Sequence, residues 1–84
     1  MRPPIIVAEL RDNANAGERL RIALDERRGR HLLEIRVTTR LTEATGIWTP
    51  TSKGVSVNVA LLPALREALE AADAQARAMG LLNG

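Results

Sequence analysis

No cysteine, phenylalanine or tyrosine occurs among the 84 residues, and tryptophan and lysine occur once each. Without cysteine there is no disulfide, and no Cys/His set stands at zinc-ligand spacing, so two common staples of a small domain are missing. No segment is long and apolar enough to span a bilayer. The opening MRPPIIVAEL lacks the apolar run and small-residue cleavage site of a secretory signal, so a cytoplasmic location, nucleoid-associated in a bacterium, is expected. Nothing pairs a nucleophile with a base, and His31 stands alone among arginines, so catalytic residues, metal and cofactor are all expected to be absent. A chain this short buries only roughly 60–65% of its unfolded surface, which makes a second copy of itself the expected source of extra core.

What the sequence does contain is aliphatic residues and arginine. Leu, Ile, Val and Ala supply nearly all of the 45% hydrophobic content, and eleven of the twelve cations are arginine, which stays protonated and forks onto phosphate or carboxylate. Their distribution says more than the net charge of +2. Between residues 19 and 40, Arg19, Arg21, Arg27, Arg28, Arg30, Arg36 and Arg40 face only Asp25, Glu26 and Glu34. After Arg40 the balance reverses, with Lys53, Arg66 and Arg77 against Glu43, Glu67, Glu70 and Asp73. A basic first half and a mildly acidic second half imply an anionic partner on one face.

Residues 5–10 are β-prone and read as a leading strand or an extended arm, separated from the rest by turn chemistry at 13–17. Leu20, Ile22 and Leu24 then alternate with Arg21, Ala23 and Asp25, and Leu33, Ile35 and Val37 alternate with Glu34, Arg36 and Thr38, each the period of a strand with one buried face. Between them, Glu26-Arg27-Arg28-Gly29 suits a hairpin loop of three to five residues. A polar loop is expected at 42–46. Pro50 permits only an edge strand or a break, and Val55, Val57 and Val59 resume the alternation as a fourth strand. From Leu62 the period changes: Leu62, Leu65, Leu69, Ala72, Ala76 and Met79 form one stripe of a helix of about 18 residues, with Pro63 in its first turn and Gly80 as its stop.

The ordered segments Asp25-Glu26-Arg27-Arg28-Gly29-Arg30, Leu33-Glu34-Ile35-Arg36-Val37, Trp48-Thr49-Pro50-Thr51-Ser52-Lys53-Gly54-Val55-Ser56 and Leu61-Leu62-Pro63-Ala64-Leu65 resemble the positive cofactor four family of transcriptional coactivators and its bacterial relatives. The resemblance covers roughly residues 18–78. It implies an α+β fold, a curved four-stranded antiparallel meander followed by one C-terminal helix, and a homodimer whose β-ribbons form channels for single-stranded or melted DNA. The corresponding division is an arm or short strand at 1–17, the nucleic-acid-binding domain at 18–80 and a tail at 81–84.

Under that resemblance, Arg28 and Arg30 match channel-lining hairpin residues, Arg36 the arginine of the strand after the hairpin, Lys53 the lysine before the glycine of the last strand, and Asn58 a polar contact. Arg21, Arg27, Thr39, Arg40 and Trp48 complete the expected nucleic-acid surface, and Leu62, Leu65, Leu69, Ala72 and Ala76 the expected dimer seam. Where relatives carry hairpin and strand aromatics this chain has Arg27 and Thr38-Thr39. Each lost stacked base is worth roughly 1–3 kcal/mol, so affinity per nucleotide should be lower unless Arg27 substitutes through guanidinium stacking. Trp48 is either a base platform or an apolar plug at the sheet edge, and plug is the favoured reading.

The expected function is single-stranded nucleic-acid binding, to DNA with RNA as a further ligand, in transcription coactivation or regulation, replication or repair, with the transcription machinery as a candidate partner. The alternative is a dimeric interaction module that uses the same basic sheet for an acidic protein, because arginine takes carboxylates as readily as phosphates. Both readings require guanidinium groups gathered opposite the aliphatic layer and not consumed by Glu34 and Asp25.

Overall fold

The computed structural model describes residues 3–12, 15–40 and 46–82. Four antiparallel strands, β1 (Ile5–Asp12), β2 (Asn15–Arg27), β3 (Arg30–Arg40) and β4 (Trp48–Asn58), form one sheet in the order β1-β2-β3-β4. A single-turn 3-10 segment (Val59–Leu61) then leads into helix α1 (Leu62–Ala78). The leading segment is therefore a paired strand, with Leu10 opposite Leu20 and Ala8 opposite Ile22. β2 starts at Asn15 and runs without interruption through the 17/18 boundary, so of the expected turn at 13–17 residues 15–17 are strand. Positions 13 and 14, the loop residues 42–45 and the tail residues 83–84 lie outside the described residues.

Register separates the two faces. Leu20 pairs with Val37, Ile22 with Ile35 and Leu24 with Leu33, while Val55 and Val57 continue the layer opposite Ile35 and Leu33. Because side chains alternate across a strand, the other face collects Arg19, Arg21, Asp25 and Arg27 from β2 and Arg30, Glu34, Arg36 and Arg40 from β3.

Three local details differ from the sequence-based expectation. The β2–β3 connection is a two-residue turn, Arg28-Gly29, with φ of 52° and 78°. Positive φ at both central positions is the type I′ geometry whose twist matches the flanking strands, and it brings Arg27 opposite Arg30. Val59 is not a strand residue, because the Asn58 side chain accepts from the Ala60 amide at 2.9 Å and turns the chain into the 3-10 segment. β4 is continuous from Trp48 rather than resuming at Val55. As the outer strand it tolerates Pro50, and between its Gly54–Arg36 and Pro50–Thr38 pairings it carries extra residues in a bulge. The Thr51 hydroxyl closes that bulge by donating to the Val37 carbonyl at 2.8 Å.

At the helix end, Gly80 has φ of 75°, its amide donates to the Arg77 carbonyl at 3.1 Å, and the Leu81 amide donates to Ala76 at 2.8 Å. These paired bonds make a Schellman stop at the glycine where the sequence placed it.

Little of this architecture is closed. Among the described residues only Ala23, Leu33 and Thr38 are buried, and Leu69 is 59% exposed. The chain's accessible surface is 6729 Å², against about 4,900 Å² for a compact monomer of this mass. Its radius of gyration is 15.0 Å where about 12 Å is usual. The aliphatic face of the sheet and the stripe of α1 border an open apolar groove of about 320 Å³ lined by Ile22, Leu24, Leu33, Ile35, Leu62 and Leu65, among others.

Candidate nucleic-acid interface

On the face opposite the aliphatic layer, alternation and register bring together Arg11, Arg19, Arg21, Arg27, Arg30, Arg36 and Arg40 with, among the described residues, three carboxylates, Glu9, Asp25 and Glu34. The guanidinium groups are not a bare positive strip. Arg21 donates through Nε to Glu9 at 3.2 Å, and Arg19 approaches the same carboxylate at 3.7 Å. Arg27 reaches both Asp25 at 3.2 Å and Glu34 at 3.0 Å, and Arg36 meets Glu34 at 3.4 Å. Ser56 donates its hydroxyl to Glu34 as well.

The condition that Glu34 and Asp25 leave the arginines free is therefore only partly met. Three carboxylates are shared among four arginines, and Arg11 and Arg30 add further cations to the face, so among the described residues the excess stays positive. Each such pair at the surface is worth about 0–1 kcal/mol, small enough for a phosphate to take over one of the partners. No acid among the described residues pairs with Arg28 or Arg30. Both are exposed at the hairpin tip, and Arg28 holds its left-handed backbone angle without the help of glycine.

Trp48 lies on this same face opposite Arg40, and it is half-buried. The Arg19 guanidinium stands over its ring at 4.1 Å from the centroid, and that of Arg40 at 5.6 Å. The ring is thus a half-buried group at the sheet edge that packs under cations on the charged face and not in the aliphatic layer, because its register partner Arg40 shares the parity of Arg36 and Thr38. Arg19 joins the site although it was outside the expected binding set. Its parity with Arg21 was the available signal.

Other expected residues are placed elsewhere. Thr39 has the opposite parity and donates its hydroxyl to the Gly17 carbonyl at 3.3 Å. Lys53, on the β4 bulge, approaches Glu18 at 3.9 Å, and Glu18 pairs in register with Thr39, away from Arg19 and Trp48. The side-chain oxygen of Asn58 is occupied by the Ala60 amide. His31 is exposed and lies 3.9 Å from Glu26. Among the described residues no cluster of metal-ligating side chains is found. No helix there is long and apolar enough to cross a membrane.

In comparisons with known proteins, no family model and no curated protein matches the sequence. Solved structures do. BPSL1147, a PC4 homologue from Burkholderia pseudomallei, superposes in its tetragonal crystal form with a TM-score of 0.72 and 25% identity, covering 84% of this chain and 98% of that one. The orthorhombic form gives 0.73 at 25% identity over 87% and 93% of the two chains. This chain has a PC4-type fold.

A further PC4 homologue, from bacteriophage T5 and implicated in recombination-dependent DNA replication, shares the fold with a TM-score of 0.53 at 24% identity, over 94% of this chain and 82% of that one. The PC4-type architecture is thus the four-stranded antiparallel sheet followed by one helix. The positions at which the sequence resemblance led to an expectation of aromatics hold Arg27 at the end of β2 and Thr38-Thr39 in β3. Thr38 is fully buried, donating weakly to the Arg19 carbonyl at 3.4 Å, so it offers no stacking surface.

Proposed function

We propose that this PC4-type chain acts as a homodimer that binds single-stranded DNA across its arginine face, in transcription regulation or in replication and repair. The observation that carries the reading is the excess of arginines over carboxylates, seven to three among the described residues, on the side of the sheet that holds Trp48 and lies opposite the aliphatic layer. A strand with splayed bases meets both of its needs there, cations for phosphates and a ring for a base, and RNA is the second ligand with the same chemistry. The kinship with PC4 homologues, one of them implicated in recombination-dependent DNA replication, supports the reading.

The open aliphatic side of the chain supports the homodimer. The surface excess over a compact monomer, about 1,800 Å² by the same scaling, matches what a substantial interface removes, and the open apolar groove beside α1 offers a second copy an aliphatic surface to cover. Leu62, Leu65, Leu69, Ala72 and Ala76 would then form the seam. Sedimentation of the free protein should report twice 9.1 kDa, and a stable species of 9.1 kDa would remove the dimer.

Anisotropy titration with labelled oligo-dT should show binding that weakens as salt rises, with a slope of about −3.5 in log affinity against log salt for about five phosphates. Duplex of equal length should bind more weakly. Trp48 emission should change on saturation, since any base that engages the ring must displace the Arg19 cover. No measurable binding at about 50 mM salt, where phosphate contacts are strongest, rejects the function.

A further inference from the structure

Within the arginine face, Arg36 is held differently from its neighbours. Its Nη1 donates to the Thr51 carbonyl on the β4 bulge at 3.1 Å, and its Nη2 approaches Glu34 at 3.4 Å. Glu34 is itself fixed by Arg27 and by the Ser56 hydroxyl. Between these tethers the guanidinium carbon lies over Gly54: a Cβ built on that glycine would stand 3.2 Å from Arg36 Cζ. Donors of a guanidinium point within its plane, so two tethers on its rim and a glycine beneath it lay the group flat on the sheet. One planar face is then turned to solvent, and the side chain is 24% exposed.

We propose that Arg36 is a nucleobase-stacking platform and not a phosphate ligand, standing in for the ring surface that Thr38 and Thr39 do not supply. This rests on the single-strand binding proposed above. A phosphate is best gripped by the in-plane donors, and here two of those are committed to the protein. A base needs the open planar face, which is what remains. Gly54 leaves room for the group, and the bulge brings the Thr51 carbonyl to its rim.

The test compares oligo-dT with a strand of equal length built from abasic tetrahydrofuran residues, which has the phosphates without the bases. Wild type should prefer oligo-dT. Arg36→Lys keeps the charge and loses the plane, so its affinity for oligo-dT should fall about tenfold while that for the abasic strand stays within about twofold. Equal loss on both strands makes Arg36 a phosphate ligand and overturns the proposal, as does no loss on either.

Glu34→Gln decides the matter if the lysine variant does not fold. It raises the net charge by one but loosens the tether, so oligo-dT affinity should fall, whereas a gain on both strands overturns the proposal. Wild type that binds both strands equally also overturns it and leaves phosphate binding standing. Wild type that binds neither sinks the binding reading itself.

Discussion

Reversing the two unpaired hairpin charges, Arg28→Glu with Arg30→Glu, should weaken single-strand binding by at least about a hundredfold at ~50 mM salt. Each phosphate contact contributes about 0.7 to the salt slope, which amounts to nearly tenfold in affinity per contact at that salt, and reversal adds repulsion to the loss. The slope itself should fall from about −3.5 to about −2.1. Because no described acid pairs with either residue and both are exposed, folding stability should change by no more than about 0.5 kcal/mol. Anisotropy titration across a salt series, with a thermal melt alongside, checks both halves. A slope that does not move would place the phosphates away from the hairpin tip.

The largest effect on stability is expected from Gly54→Ala. The new Cβ would overlap the Ile35 carbonyl oxygen and come within 2.9 Å of Arg36 Cα, both of them backbone atoms of β3. Gly54 pairs directly with Arg36, so the clash can be relieved only by prising β4 from β3. Its φ of 157° is a further obstacle for an alanine. Overpacking of this kind costs about 3 kcal/mol. In a domain of this size that corresponds to a fall in Tm of about 12 °C or more, read by circular dichroism. A melt within about 3 °C of wild type would mean that the two strands part at this point without penalty. Since the same substitution lifts the Arg36 guanidinium from its bed, binding should weaken even at temperatures where the variant is folded.

The two variants separate what holds the sheet together from what the sheet presents. Glu34 belongs to both. It joins Arg27, Arg36 and Ser56 across three strands, and it lowers the positive excess by one. A carboxylate in the middle of a basic face looks like a competitor for phosphate when charge alone is counted. Its geometry gives it another task, which is to fix the orientation of the guanidinium groups around it.

Several features were legible in particular residues. The alternation of Leu20, Ile22 and Leu24 with Arg21 and Asp25, and of Leu33, Ile35 and Val37 with Glu34 and Arg36, contains the two-faced sheet, because a strand's period of two is local. The change of period at Leu62 and the glycine at 80 contain the helix and its stop. Pro50 contains the edge position of β4, since a central strand would need the amide that proline lacks.

What stayed hidden depends on contacts between residues distant in sequence. That Glu9 holds Arg19 and Arg21 follows from β1 pairing with β2, and neither strand shows it alone. The side of the sheet that Trp48 occupies depends on how many residues the β4 bulge inserts between Pro50 and Gly54. An error of one there would move the ring to the aliphatic layer.

The sequence by itself thus determined which residues could share a face, because backbone geometry sets the periodicity of each element. Tertiary structure alone decided which arginines are already engaged, which one lies flat over a glycine, and where the single ring sits. Those outcomes depend on register and on ångström-scale distances between strands, and no local pattern encodes them.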